Sequence, residues 1–87
     1  MTISFPPRET WNSNRDIVQF PALVNGKNVS CAISWEALQD NFGGNAVPPL
    51  DCFRSNRKAI ESKAERLIQK GRFEPDGSLL IRSQDGP

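Results

Sequence analysis

The dipeptide Asn25-Gly26, set between two runs of β-branched and apolar residues, constrains this chain more than any other feature. Asn-Gly is the preferred pair for a type I′ turn, whose central residues need positive φ and whose twist matches that of flanking strands. A two-residue loop there pairs Val24 with Lys27, Ala22 with Val29, Phe20 with Cys31 and Val18 with Ile33. The apolar side chains of these pairs share one face, so turn chemistry and hydrophobic period agree on the register. Pro21 then opposes Ser30 in a non-hydrogen-bonded pair, with its missing N–H on the far side. A third strand would pair poorly at that point, and 17–24 reads as an edge or bulged strand.

Downstream the period changes. Ser34 suits an N-cap, Glu36 favours the first turn, and Trp35, Leu38 and Phe42 fall at i, i+3, i+7 before Gly43-Gly44. That spacing predicts a helix over 35–42. Residues 43–50 read as a connector; no Lys-Ser/Thr follows the glycine pair, which argues against a phosphate cradle. Asp51 can cap a second helix over 52–70, with Gly71 as its C′ residue. A Pro75-Asp76-Gly77 turn predicts a closing hairpin, 72–74 with 78–82, pairing Phe73 with Leu79. At the other end, Ile3 and Phe5 suit a short leading strand stopped by Pro6-Pro7, and 8–16 reads as a crossing loop pinned by Trp11. The tail is expected to fray from about Ser83. Two hairpins (17–24/28–33 and 72–74/78–82) packed on two helices (35–42 and 52–70) make a two-layer α+β fold, one domain over 1–87.

Several function classes drop out. The chain has no histidine, which removes histidine general bases, Ser–His and Cys–His pairs and most zinc sites. Cys31 and Cys52 lack ligand spacing and are expected as free thiols, so no metal and no cofactor is expected. No apolar run approaches the ~20 residues of a membrane span, and the first residues lack the charged and apolar regions of an export signal. A cytoplasmic protein is the expectation. The net charge is +1, yet residues 51–72 hold seven cations against three acids, +4, while the remainder holds four against seven, −3. An anionic partner, or pairing between the halves, would use that split.

Three sets of residues stand out. Phe53, Ile60, Ala64, Leu67 and Ile68 trace one arc of the second helix, and Arg57 lies inside it. With Asn56 it forms a candidate anion site; the plainer reading is an internal pair with Asp16, Glu36 or Asp40. Lys63, Arg66 and Lys70, continued by Arg72, line one helix flank. They suit a nucleic-acid backbone or, more plainly, a solvated helix end. Trp11 and the outer-face residues Ile17, Pro21 and Leu23, beside Ala32, form a candidate interface for a partner strand or a second copy. Cys52, near a helix start, is a weaker candidate for a thiolate.

Blocks distributed along the chain resemble a known bacterial family. They are Phe20-Pro-Ala-Leu-Val-Asn-Gly, Cys31-Ala-Ile-Ser-Trp-Glu-Ala-Leu, Phe53 with Asn56-Arg57 and Ile60-Glu61, and Arg66-Leu-Ile-Gln-Lys-Gly-Arg-Phe-Glu-Pro-Asp-Gly-Ser. Together they resemble the short proteins grouped as domain of unknown function family 1488. The resemblance implies a stand-alone, cytoplasmic α+β protein and brings no reaction, cofactor or partner, hence no catalytic residues to carry over. The residues themselves point to a small non-catalytic binding or accessory module that recognises a protein or another copy of itself. The alternative is weak nucleic-acid binding through the 52–70 flank. An enzyme ranks third, because no acid pair is set by pattern into one cleft.

Overall fold

The computed structural model describes residues 1–87. Its frame is the hairpin of β3 (Ile17–Val24) and β4 (Lys27–Ser34), joined by Asn25 and Gly26 at φ 53° and 81°. All eight pairs, from Val24↔Lys27 to Ile17↔Ser34, follow the register fixed by that turn. On the far side of β3 lie two short strands, β1 (Ile3–Ser4) against Val24 and Leu23, and β2 (Thr10–Asn12) against Gln19, Val18 and Ile17. β3 is therefore not a sheet edge. Its outer pairing nevertheless lapses over residues 20–22, centred on Pro21, where the chain lacks an N–H to offer. The segment 8–16, expected as a loop, contributes β2.

Ser34 caps α1 (Trp35–Phe42) by accepting a hydrogen bond from the Ala37 amide at 3.0 Å, and Gly43 ends it in the left-handed region at φ 69°. Gly44 has a separate reason: a Cβ there would lie 3.0 Å from both the Cys52 Sγ and the Leu38 carbonyl oxygen. The long helix expected over 52–70 is two helices. α2 (Pro49–Ser55) starts three residues earlier, with Pro49 at its first position and no side-chain cap, so Asp51 sits inside its first turn. α3 (Arg57–Gln69) follows a break at Asn56, whose backbone leaves the helical region at φ −117°, ψ 16°. Ser55-Asn56 is a poor helix-forming pair, and the Asn56 amide donates to the Cys52 carbonyl at 2.9 Å and the Phe42 carbonyl at 3.3 Å. That side chain fastens the end of α2 to the end of α1.

The second hairpin does not form. Residues 72–74 are not a strand, and β5 (Leu79–Ile81) pairs in parallel with β4, Cys31↔Leu79 through Ile33↔Ile81. The turn is real, with Gly77 at φ 87° and the Glu74 amide donating to the Ser78 carbonyl at 2.8 Å, but the ladder stops there. β5 is the outer strand of the sheet, and pairing with β4 turns Leu79 and Ile81 onto the core face. Leu79 and Ile81 are fully buried against β4, whereas Phe73 stays exposed. In the stretch expected to fray, Ser83–Asp85 forms a 3-10 turn. It is fastened by Asn41 Nδ2 donating to the Ser83 carbonyl at 2.9 Å and by Arg72 to Asp85 at 2.6 Å.

One core results. Val18, Phe20, Ala22, Cys31, Ile33, Leu79 and Ile81 from the sheet join Ala37, Leu38, Cys52, Phe53, Ile60, Ala64, Leu67 and Ile68 from all three helices. Every sheet residue in that cluster has the same facing parity, so all three helices cover one side of the sheet. The other side stays open.

Candidate functional site

Arg57 opens α3 at the helix break and is half-buried, with 23% of its side chain exposed. Its guanidinium lies 4.9 Å from the centre of the Phe53 ring and pairs with Glu9, and with Glu61 one helical turn on at 3.4 Å. None of Asp16, Glu36 or Asp40 is the partner. Asp16 closes the start of β3 through its carbonyl, which accepts from the Trp35 amide, and Asp40 accepts from the Ser83 hydroxyl. Glu9 also accepts from Arg54 Nε at 2.7 Å, so one carboxylate bridges the segment before β2 to both α2 and α3. A cation at a helix N-terminus is disfavoured by the dipole, and two acids offset it here.

Sequence reasoning missed Glu9, whose direction follows only once β2 is placed beside β3. Trp11 faces inward, opposite Val18, and stands edge-to-face with Trp35 at 6.4 Å and 75°. With a period of two, Glu9 must then face the helices as well. Asn56, adjacent to Arg57 in sequence, points elsewhere, into the α1–α2 junction. The two do not converge on one anion. Cys52 lies buried beside Asn56, and burial raises its thiol above the usual value; Cys31 is pushed up to about 12 by the same cause. Both remain protonated thiols at neutral pH, and neither is an activated nucleophile.

The basic flank is divided. Lys63, Arg66 and Lys70 make no ion pair, and Arg66 and Lys70 are exposed. Arg72 is drawn away to Asp85, Glu74 and the Leu80 carbonyl, in a network that also holds Arg82 against Glu74 at 2.6 Å. Of the apolar outer-face residues, Ile17 and Ala32 are themselves buried, leaving Pro21 and Leu23 half-exposed. The patch is smaller than the alternation suggested.

The open sheet face is polar instead. Thr10, Asn28 and Ser30 are exposed there, Gln19 is half-exposed, and the face holds two adjoining grooves. One, of about 380 Å³, runs from Arg15 and Gln19 across Asn28 and Ser30 to Asp76 and Ser78. The second, about 340 Å³, continues past Gln19 and Ser30 to Thr10, Pro21 and Arg8, over the gap where β3 lacks a neighbour. At the rim of the first, Asp76 accepts from the Ser78 amide at 2.9 Å and its hydroxyl at 2.6 Å. These bonds hold its carboxyl below the usual range, and Arg15 adds a smaller pull. No three acids or thiols converge as a metal site.

This sheet-and-helix arrangement is shared with proteins already described. Residues 3–81 match the family given as "Protein of unknown function (DUF1488)". The chain is 45% identical over 80 residues to the Escherichia coli strain K12 protein called "Uncharacterized protein YrdB", covering 91% of this chain and 94% of that one. It is 43% identical to the Shigella flexneri protein of the same name, at the same coverage. A crystal structure of a DUF1488 protein of unknown function from Shewanella loihica superposes with a TM-score of 0.82 at 25% identity, over 91% of this chain and 90% of the other. The chain belongs to the DUF1488 family.

Proposed function

We propose that the protein is a small non-catalytic binding module of the cytoplasm that engages a protein, or a second copy of itself, through the open face of its sheet. One observation supports this above the rest: three helices crowd onto one side of a five-stranded sheet, and no residue of the other side joins the core. A bare antiparallel face tolerates water when its outward residues are polar, as Thr10, Asn28 and Ser30 are. Here it also carries two joined grooves and the half-exposed Pro21 and Leu23, a relief that a flat solvated face does not need. The two unpaired thiols fit a reducing compartment.

Blocking the face tests this reading. Ser30→Arg projects a long side chain from the middle of both grooves without touching the core. The wild type should sediment as a concentration-dependent dimer or co-purify with one saturable protein, and the variant should lose that behaviour while melting normally. Association that survives the block would remove the open face from the proposal.

A second reading, weak nucleic-acid binding along α3, is favoured by one observation: Lys63, Arg66 and Lys70 have no acid of their own chain to satisfy. Removing a cation that neutralises a phosphate flattens the salt dependence, so a triple neutralisation should lower the slope of log affinity by about three. Equal retention of wild type and triple variant on a phosphate resin would dismiss it.

A further inference from the structure

We propose that the larger groove on the open face is a site for a short zwitterionic ligand, of the amino-acid or short-peptide class, with Arg15 taking the carboxylate and Asp76 the ammonium. The inference goes beyond a protein-docking role, because it requires a small ligand to bind the free molecule.

Topology carries the argument. Arg15 comes from the loop before β3 and Asp76 from the turn before β5, so the two charges reach over β4 from its opposite sides. Both line the same groove, and no ion pair joins them. The Asn12 side-chain carbonyl accepts from the Arg15 backbone amide at 3.3 Å, which fixes the main chain there, and Ser78 clamps the Asp76 carboxylate. Between them the floor presents Gln19, Asn28 and Ser30, two amides and a hydroxyl able to match the peptide groups or backbone atoms of a ligand. A volume of about 380 Å³ falls at the small end of ligand sites, suiting an amino acid or a short peptide rather than a nucleotide cofactor. A purely anionic ligand would meet repulsion from Asp76, and a purely cationic one from Arg15. The pair selects for both charges in one molecule.

The experiment titrates isotope-labelled full-length protein with glycine, diglycine and triglycine, reading backbone amide shifts. Binding should move Arg15, Gln19, Asn28, Ser30, Gly77 and Ser78 and leave α3 unmoved, with one length clearly preferred. N-acetylation or C-amidation of the preferred probe should each weaken it by about tenfold, as should Arg15→Ala, which changes an exposed loop residue and cannot unfold the core. Asp76→Asn should restore binding of the N-acetylated probe relative to the parent. Groove amides that stay still at about 50 mM of all three probes, a range that would detect even millimolar affinity, overturn the proposal. So does binding indifferent to blocked termini. Because Ser30→Arg association tests use no peptide, either result leaves the docking reading to stand or fall separately.

Discussion

The β3–β4 hairpin and the segment from α2 to β5 meet in one core, but they are specified in different ways. In the hairpin each contact is close in sequence, and one turn sets all eight pairs. In the second segment the decisive contact joins Ile33 to Ile81, across three helices, and nothing local announces it. Local chemistry fixes the first region; competition for burial fixes the second. Leu79 and Ile81 had two edges available, the Arg72–Glu74 arm and the open side of β4, and only β4 lets both side chains reach the core.

The largest expected effects test this contrast. Ile33→Ala and Ile81→Ala each empty a fully buried site and should each cost roughly 2–5 kcal/mol. Their kinetics should separate. If the hairpin forms early and the parallel strand docks late, Ile33→Ala chiefly slows folding and Ile81→Ala chiefly speeds unfolding. Chevron plots in which Ile81→Ala slows folding as strongly as Ile33→Ala would erase the distinction.

Arg57 ties the second region to a third part of the chain, since its own helix belongs to the crossover and its partner Glu9 to the segment before β2. With 23% and 14% of the two side chains exposed, the pair lies between a solvated contact and a fully buried one. Arg57→Ala should cost about 2–3 kcal/mol, including the loss of its cation–π packing on the Phe53 ring, and Glu9→Gln about 1–2 kcal/mol. A double-mutant cycle in urea should give a coupling of about 1 kcal/mol or more. Strict additivity would mean that Glu61 alone satisfies the arginine.

Legibility in the sequence followed the same division. The turn at Asn25-Gly26, the Ser34 cap and the Gly43 stop are single-residue requirements, and the hairpin and α1 could be read from them with their register. An anomalous cation on an apolar arc likewise marked Arg57 as needing a partner. Its partner could not be read, because Glu9 becomes inward-facing only once β2 is known to lie beside β3, and a three-residue strand leaves almost no periodic trace. The break at Asn56 was hidden for a related reason. Apolar spacing continued through it, while the Asn56 side chain is held by the Cys52 carbonyl and by that of Phe42, fourteen residues away. The open-face groove depends on loops at 15 and 76 being brought over β4, which no local pattern encodes.

A smaller effect probes the turn that organises the hairpin. Gly26 sits at φ 81°, where a Cβ is strained although no atom lies within 4 Å to clash with it. Gly26→Ala should therefore cost about 1–2 kcal/mol through backbone strain alone. An unchanged melting midpoint would show that the turn relaxes to another type and that hydrophobic pattern by itself holds the register.

The smallest effect belongs to the turn before β5. Asp76 is fully exposed, and its carboxyl is held below the usual value by the Ser78 hydroxyl and amide, with a lesser pull from Arg15. Its folded value is depressed, so the unfolded chain binds more protons in the acid range and stability rises with pH there. The contribution is complete above the unfolded value of 3.8 and disappears as pH falls through the lower folded one. Asp76→Asn, which keeps an oxygen to accept from Ser78, should flatten the stability curve only in that acid window and match wild type at pH 7 in shape. A variant as acid-sensitive as the wild type would show that the dependence does not come from Asp76.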